Sequence, residues 1–410
     1  MTWRLIARGS GLRNTLILMV LLGLGGFPGA CQPQTSGPEP LVIRHGGVYT
    51  GTFRSDDSEV PCIRVETKEP VILRDCVLTG AGDLILATKG GAQLTVIGCQ
   101  GYGLPPSADQ TRRGHFLEVN SARSLRVEHN YFEQTIGISV YQWSGNGSAR
   151  QTLTVRFNSA KNIDGRYRDG GGTMVNFLGL NGLPNVGAME IAWNQVINVP
   201  NESLVEDNIN FFNSGGTSAS PVRLHDNYIQ GAYPFPATST TYTGSGITLD
   251  GHGHAAVSAT AHINAYNNQI VSTCGAAMNI AAGHDNYFHH NRLVSSSRLP
   301  DGTKLTANWT AVAIWNAYKQ PPTVFYNNRM DRNVIGFVHW GGTNPLPNRN
   351  DLINNTCESC TGTVHLPNLV TRKTEQAEWA RWQKKLQAKN VQVGPVTPAE
   401  QRSKAVGAAH

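Results

Sequence analysis

Residues 204–230 read LVEDNINFFNSGGTSASPVRLHDNYIQ, and this stretch decides the fold. Ile209 and Phe211 are two apart, the spacing of a strand with one buried face, and a Gly/Ser/Thr-rich bend follows at 214–220. A second short strand, VRL, ends in His225-Asp226-Asn227, and the apolar Ile229 opens the next segment. Strand, bend, strand and corner in so short a stretch make one turn of a coil.

The second half of that unit recurs along the chain. LRVEHN ends at Asn130, LTVRFN at Asn158, MEIAWN at Asn194, INAYNN at Asn268 and NYFHHN at Asn291. TVFYNN at Asn328 and NDLINN at Asn355 continue the series, and VILRDC at Cys76 and LTVIGC at Cys99 begin it with cysteine in the asparagine position. Ten units result, with steps between 23 (76 to 99) and 41 residues (227 to 268). A self-similar period of this length means a solenoid, and strands without helical periodicity make it a parallel β-helix of about ten coils. The repeated asparagines are expected to form a corner ladder, because asparagine tolerates left-handed backbone and its amide can bond to the coils above and below.

Residues 1–30 combine Arg4, Arg8 and Arg13 with an apolar run from Leu16 to Leu24 and small residues before Cys31, the layout of a secretory signal too short to span a membrane comfortably. Pro28-Gly29-Ala30-Cys31 resembles a bacterial lipobox, with proline where leucine is usual. Lipidation of Cys31 and simple secretion, to the periplasm or beyond, both stand open. Residues 31–40 are a polar tether, 41–370 the β-helix, 371–390 a C-terminal helix and 391–410 a disordered tail. Trp379, Trp382 and Leu386 share one face of that helix, which is expected to cap the open end of the solenoid.

The formal charge is 34 minus 28, or +6, and falls to about +3 without the three signal arginines. That balance does not point to nucleic acid and is compatible with an acidic polysaccharide. Six cysteines follow Cys31. Cys76 and Cys99 occupy one corner of adjacent coils, ~4.8 Å apart, which suits either a disulfide or two stacked thiols. Cys357 and Cys360 read as a structural disulfide or free thiols, with no second ligand pair for zinc.

The repeat resembles the right-handed parallel β-helix superfamily typified by pectate lyases and polygalacturonases, over about residues 41–370. The resemblance implies an all-β, right-handed parallel β-helix solenoid with a pectin-lyase-like fold. It does not fix an activity, because that fold hosts lyases, hydrolases, epimerases, esterases and non-catalytic adhesins. A Gly-His-Gly is present at 251–253, but the paired aspartates and the later Arg-x-Lys of polygalacturonases are missing.

Outward residues of one sheet can line a groove suited to a polymer. Inward Ile209, Phe211, Ile247, Leu249, Met278, Ile280, Val312 and Ile314 leave Glu206, Asn208, Asn210, Phe212, Thr248, Asp250, His252, His254, Asn279 and Trp315 pointing out, with His284 and Asp285 at a strand exit. Tyr141, Trp143 and Glu118 project from earlier coils. Aromatic faces stack on sugar rings while amides and carboxylates take hydroxyls. Asp250, His252, His284 and Glu206 are therefore the expected catalytic residues, and Asn210, Asn279, Trp315, Tyr141, Trp143 and Glu118 the expected substrate contacts.

Two imidazoles near a carboxylate in Asp250-Gly251-His252-Gly253-His254 suit a general base, or else a polar loop start; no third ligand is in view, so no metal is assigned there. Glu206 and Asp207 are adjacent in a strand and so should face opposite ways, with Asp207 serving corner amides. Three readings follow. A polysaccharide lyase acting on a uronate polymer would use His252 or His284 as base and Asn210, Asn279, Arg166 or Arg168 to neutralise the carboxylate, or Ca2+ held by Glu206 and Asp250. A glycoside hydrolase would use Glu206 and Asp250. A glycan-binding or adhesin-like solenoid would need neither, and a monomer is expected throughout.

Overall fold

The structure is a computed structural model describing residues 40–173, 175–241, 244–353, 357 and 359–396. The signal segment, Cys31, all of the tether but Pro40, Asn355 and residues 397–410 lie outside the described residues.

The chain forms three eleven-stranded sheets, each taking one strand from every coil, and one two-stranded sheet. Strand Asp207–Phe212 pairs in parallel with Leu178–Asn181 on one side and Ser245–Asp250 on the other; the first sheet consists of such strands. Val222–His225 belongs to the second sheet and Tyr228–Ala232 to the third, each again paired in parallel with its counterparts in the neighbouring coils. This is an all-β parallel β-helix of eleven coils with a single α-helix, Arg372–Lys389, among the described residues. The alternation holds where it was used: Ile209, Phe211, Ile247, Leu249, Met278, Ile280, Val312 and Ile314 are all fully buried. Within the core Phe116, Phe132 and Phe177 stack one above another at 4.3 and 5.7 Å between centroids.

The corner between the second and third sheets carries the ladder. In each of Asn130, Asn158, Asn194, Asn227, Asn268 and Asn291 the backbone N–H and the side-chain Nδ2 donate to Oδ1 of the next asparagine, at 2.9–3.1 Å. The series ends on Asn333, not Asn328. Asn328 instead accepts from Asn286 at the corner between the first and second sheets, so the sequence alignment took one corner for another. The left-handed residue is also not the ladder asparagine but the one before it, as at His129 (φ 54°), Trp193 (φ 58°) and Asp226 (φ 53°). That turn aims the next side chain inward, where an amide supplies both the donors and the acceptor that a buried corner needs.

Cys76 and Cys99 are buried free thiols, the open alternative to a disulfide, while Cys357 and Cys360 are disulfide-bonded. The C-terminal helix does not cap an end. It lies along the outward face of the third sheet, where Trp382 is fully buried beside Tyr228 and Trp193 and donates to Gln195 Oε1 at 2.9 Å. Glu378 accepts two bonds from Arg292, and Lys385 pairs with Asp226 at 2.6 Å. That flank offers the aromatic area the helix needs to bury its own. The tail is ordered at its start: Val391 and Val393 pack into the same cluster and Gly394 N–H donates to Phe157 O, contrary to the reading of 391–410 from composition.

Candidate functional site

On the first sheet, the strands of three successive coils place their outward residues in register, Asn210 beside Thr248 beside Asn279. Above this floor is a cleft of about 280 Å³ lined by Glu206, Asp207, Gly244, Ser245, Thr248, Asp250, Gly275, Ala276, Asn279, Ala281, Trp309, Trp315, Ala317 and Tyr318. Trp309 and Trp315 meet edge to face at 5.6 Å, and Trp315 Nε1 donates to Asn279 Oδ1 at 3.0 Å, which fixes the indole. Trp315 remains 39% exposed, so much of its surface is open to a ligand.

Three carboxylates converge here. Asp207 is buried; its Oδ1 accepts from Thr248 Oγ1 at 2.7 Å and its Oδ2 from Asn210 Nδ2 at 3.0 Å. Alternation fails at this point. Glu206 precedes the strand, and Asp207 turns outward with Asn210 and Thr248, while Asn208 turns into the corner. There Asn208 Oδ1 accepts from Asn198 Nδ2 at 2.9 Å and its Nδ2 donates to the carbonyls of Gly231 and Ser245, and the residue is fully buried, which corrects its outward placement. Glu206 and Asp207 thus serve one cleft.

Charge crowding follows. Glu206 is open on one side, but the cleft walls strip water from its carboxyl and, with the negative charges of Asp207 and Asp250, push it up to about 7. Burial pushes Asp207 up to about 6, against the bonds from Thr248 and Asn210. Tyr318 is raised by burial and then by its hydrogen bond to Asp250. No Lys or Arg is among the described residues that line the cleft.

Tyr318 arrives from the loop after strand Val312–Ile314. Asn316 closes that loop on Gln320 through two bonds of 2.7 and 2.8 Å. Buried Gln320 then donates to the carbonyls of Gly251 and Gly253, at 3.2 and 2.8 Å, and accepts from Gly283 N–H. This clasp sets the Gly-His-Gly loop against Tyr318. His252 is exposed and packs its ring on Phe212 at 4.9 Å and near Tyr318 at 6.2 Å, on the rim rather than among the lining residues; His254 is exposed. Gly251 has φ of 133°, and a Cβ there would lie 2.3 Å from Asn213 Oδ1, so glycine is required.

The other expected residues lie elsewhere. His284 is buried at the corner between the first and second sheets with both ring nitrogens engaged, by Asp285 and by the Ala256 carbonyl, so it is not positioned as a base in the cleft. Arg166 is bound to buried Asp164 and Arg168 to Asp109, and neither lines the cleft. Tyr141 is 46% exposed on the first sheet, in register with Asn181, Phe212 and Asp250 of the coils that follow. Trp143 packs against the core, because left-handed Gln142 (φ 59°) breaks the alternation before it. Glu118 faces His115, 3.3 Å from its Nδ1, which also meets Asp83 at 2.9 Å. Asp207, Trp309 and Tyr318 were not among the expected site residues; the one signal for Asp207 was its place beside Glu206.

The arrangement defines a class: a parallel β-helix with an acidic, aromatic-walled cleft on the outward face of one sheet. No family model, no curated protein and no solved structure matches the chain.

Proposed function

We propose that the protein is an exported glycoside hydrolase of pectin-lyase-like fold that cleaves a polysaccharide bound in the Glu206–Asp250 cleft. One observation carries the reading: three carboxylates share a cleft walled by tryptophan, and one of them, Glu206, is raised to about 7. A carboxyl that keeps its proton near neutrality can deliver it to a leaving glycosidic oxygen. Asp250, whose charge raises both neighbours, supplies the negative charge beside the developing oxocarbenium carbon. Asp207 holds Thr248 and Asn210, and Trp315 offers a face for a sugar ring.

A lyase acting on a uronate needs a base and a cation for the substrate carboxylate. The arginines assigned to that task are paired elsewhere and His284 is turned to Asp285 and the Ala256 carbonyl, which leaves only the exposed His252 on the rim as a base, so this reading has less support. It keeps one form: Ca2+ held by Glu206 and Asp250 would neutralise those two carboxylates and leave the cleft able to take a uronate. The acidic lining otherwise favours a neutral polymer. Replacing Glu206 with glutamine separates the readings. A hydrolase loses its proton donor and about 10²–10⁴-fold in turnover, without regard to calcium. Activity abolished by chelation and restored by Ca2+ supports the elimination instead.

A further inference from the structure

Outside the cleft, the corner between the first and second sheets gathers His262, His284 and Asp285, with one potential ligand atom from each lying within 4.8 Å of the others. We propose that this trio binds a divalent transition-metal ion of the zinc type, pinning the loop that carries His252.

The Ala256 carbonyl, 3.1 Å from His284 Nε2, can only accept, so that nitrogen carries the hydrogen and the Nδ1 lone pair points at Asp285 Oδ2, 2.7 Å away. At 2.7 Å that contact is a hydrogen bond, so a proton holds the pair in the metal-free protein, and an ion binding here displaces it and draws on both atoms. A metal-ligating histidine characteristically donates its other ring N–H to a carbonyl, and a ligating carboxylate is itself hydrogen-bonded. Both outer partners are present: the Ala256 carbonyl for His284, and Asn327, whose amide donates to Asp285 Oδ1. His262 supplies the third atom, its Nδ1 3.9 Å from Asp285 Oδ2 and its ring edge-on to His284. Imidazole, imidazole and carboxylate are the donor set of three-ligand zinc sites, with a fourth position left for water. Tyr326 stacks on His284 at 4.6 Å and closes one side.

Consequence follows from position. The Ala256 carbonyl belongs to the short 3-10 turn Ala256–Ser258 that follows the Gly-His-Gly-His loop, so an ion on His284 stiffens the loop beside the cleft.

The test is Zn2+ and Co2+ titration of the mature, chelator-stripped protein, followed by calorimetry, metal analysis and thermal melting. One equivalent of Zn2+ is expected, with a raised melting temperature, and the Co2+ form should show visible bands of nitrogen and oxygen ligands without a thiolate charge-transfer band. His262→Ala, at a partly buried left-handed position (φ 55°) whose fold is checked by circular dichroism, with His262→Asn as the variant that keeps the backbone preference, is expected to abolish stoichiometric binding, and Asn327→Ala to weaken it about 10–100-fold. Failure to bind Zn2+, a thiolate band, or unchanged binding in His262→Ala with Glu118→Ala losing it instead would overturn the proposal.

Discussion

Glu206 and Asp207 show at the residue scale how a corner rewrites the rule of alternation. Strand parity located Asn210, Thr248 and Asn279 on the outward face, because within a strand successive side chains have no choice of side. Before Ile209 the chain is still leaving the previous corner, and Asp207 and Asn208 exchange faces there; no local sequence pattern reveals that. The cost of the arrangement is measurable. Burial pushes Asp207 up to about 6 in the folded chain, against 3.8 for a free aspartate. An acid whose folded value is raised binds its proton more tightly when folded, so stability falls as pH rises from 3.8 through about 6. Asp207→Asn is therefore expected to raise the melting temperature at pH 8, by a gain of up to about 3 kcal/mol, while lowering turnover. A lower melting temperature at that pH would count against the crowded-carboxylate description. For Glu206 the pH–rate profile should lose activity as pH rises through about 7, and in Glu206→Gln that alkaline limb should vanish along with most of the rate.

Among the elements, the corner ladder is the feature most completely written in the sequence, yet one rung, Asn328, belongs to another corner. Asn328 follows the same apolar-polar pattern as Asn291, but in these late coils two corners take an asparagine after a left-handed residue, Asn327 and Asp285 at one and His290 at the other. Only the hydrogen bonds distinguish them. Asn194→Ala would leave the buried N–H and Nδ2 of Asn158 without their acceptor. Each orphaned donor costs about 1–3 kcal/mol, so for the two a loss of about 2–6 kcal/mol is expected, read as a fall in melting temperature. Asn181→Ala, at an exposed residue of the strand Leu178–Asn181, serves as the comparison, and equal melting for the two variants would refute a structural ladder. The C-terminal helix was legible as a helix but not in its placement, because its aromatic face fits a sheet flank as readily as an open end, and only Trp193 and Tyr228 decide between them.

For the molecule as a whole, the repeat announces the solenoid at a distance, since each coil must carry its own inward residues and corner. The cleft does not announce itself, because Tyr318 and Trp309 come from insertions outside the repeat that fold back over the first sheet. Acid stability is also a property of the whole stack. On the second sheet Glu190 is lowered to about 2, first by its hydrogen bond from His225 and then by the charges of Arg223 and Arg156. Asp226 and Asp83 are lowered as well, by their bonded His225 and His115 against the effect of burial. A carboxylate lowered on folding contributes stability that is complete above its unfolded value, 4.5 for Glu190, and disappears as pH falls through about 2. The melting temperature should thus fall steeply between those limits, and Glu190→Gln should flatten the decline.

The central claim, hydrolysis in the Glu206–Asp250 cleft, is tested most directly by mass spectrometry of products from neutral and uronate polysaccharides digested in heavy-oxygen water by the mature protein, with and without calcium. The account expects fragments of full hydrolytic mass carrying one heavy oxygen at the new reducing end, formed without calcium and lost in Glu206→Gln. Fragments lighter by one water, or no cleavage of any polymer in the panel, would contradict it.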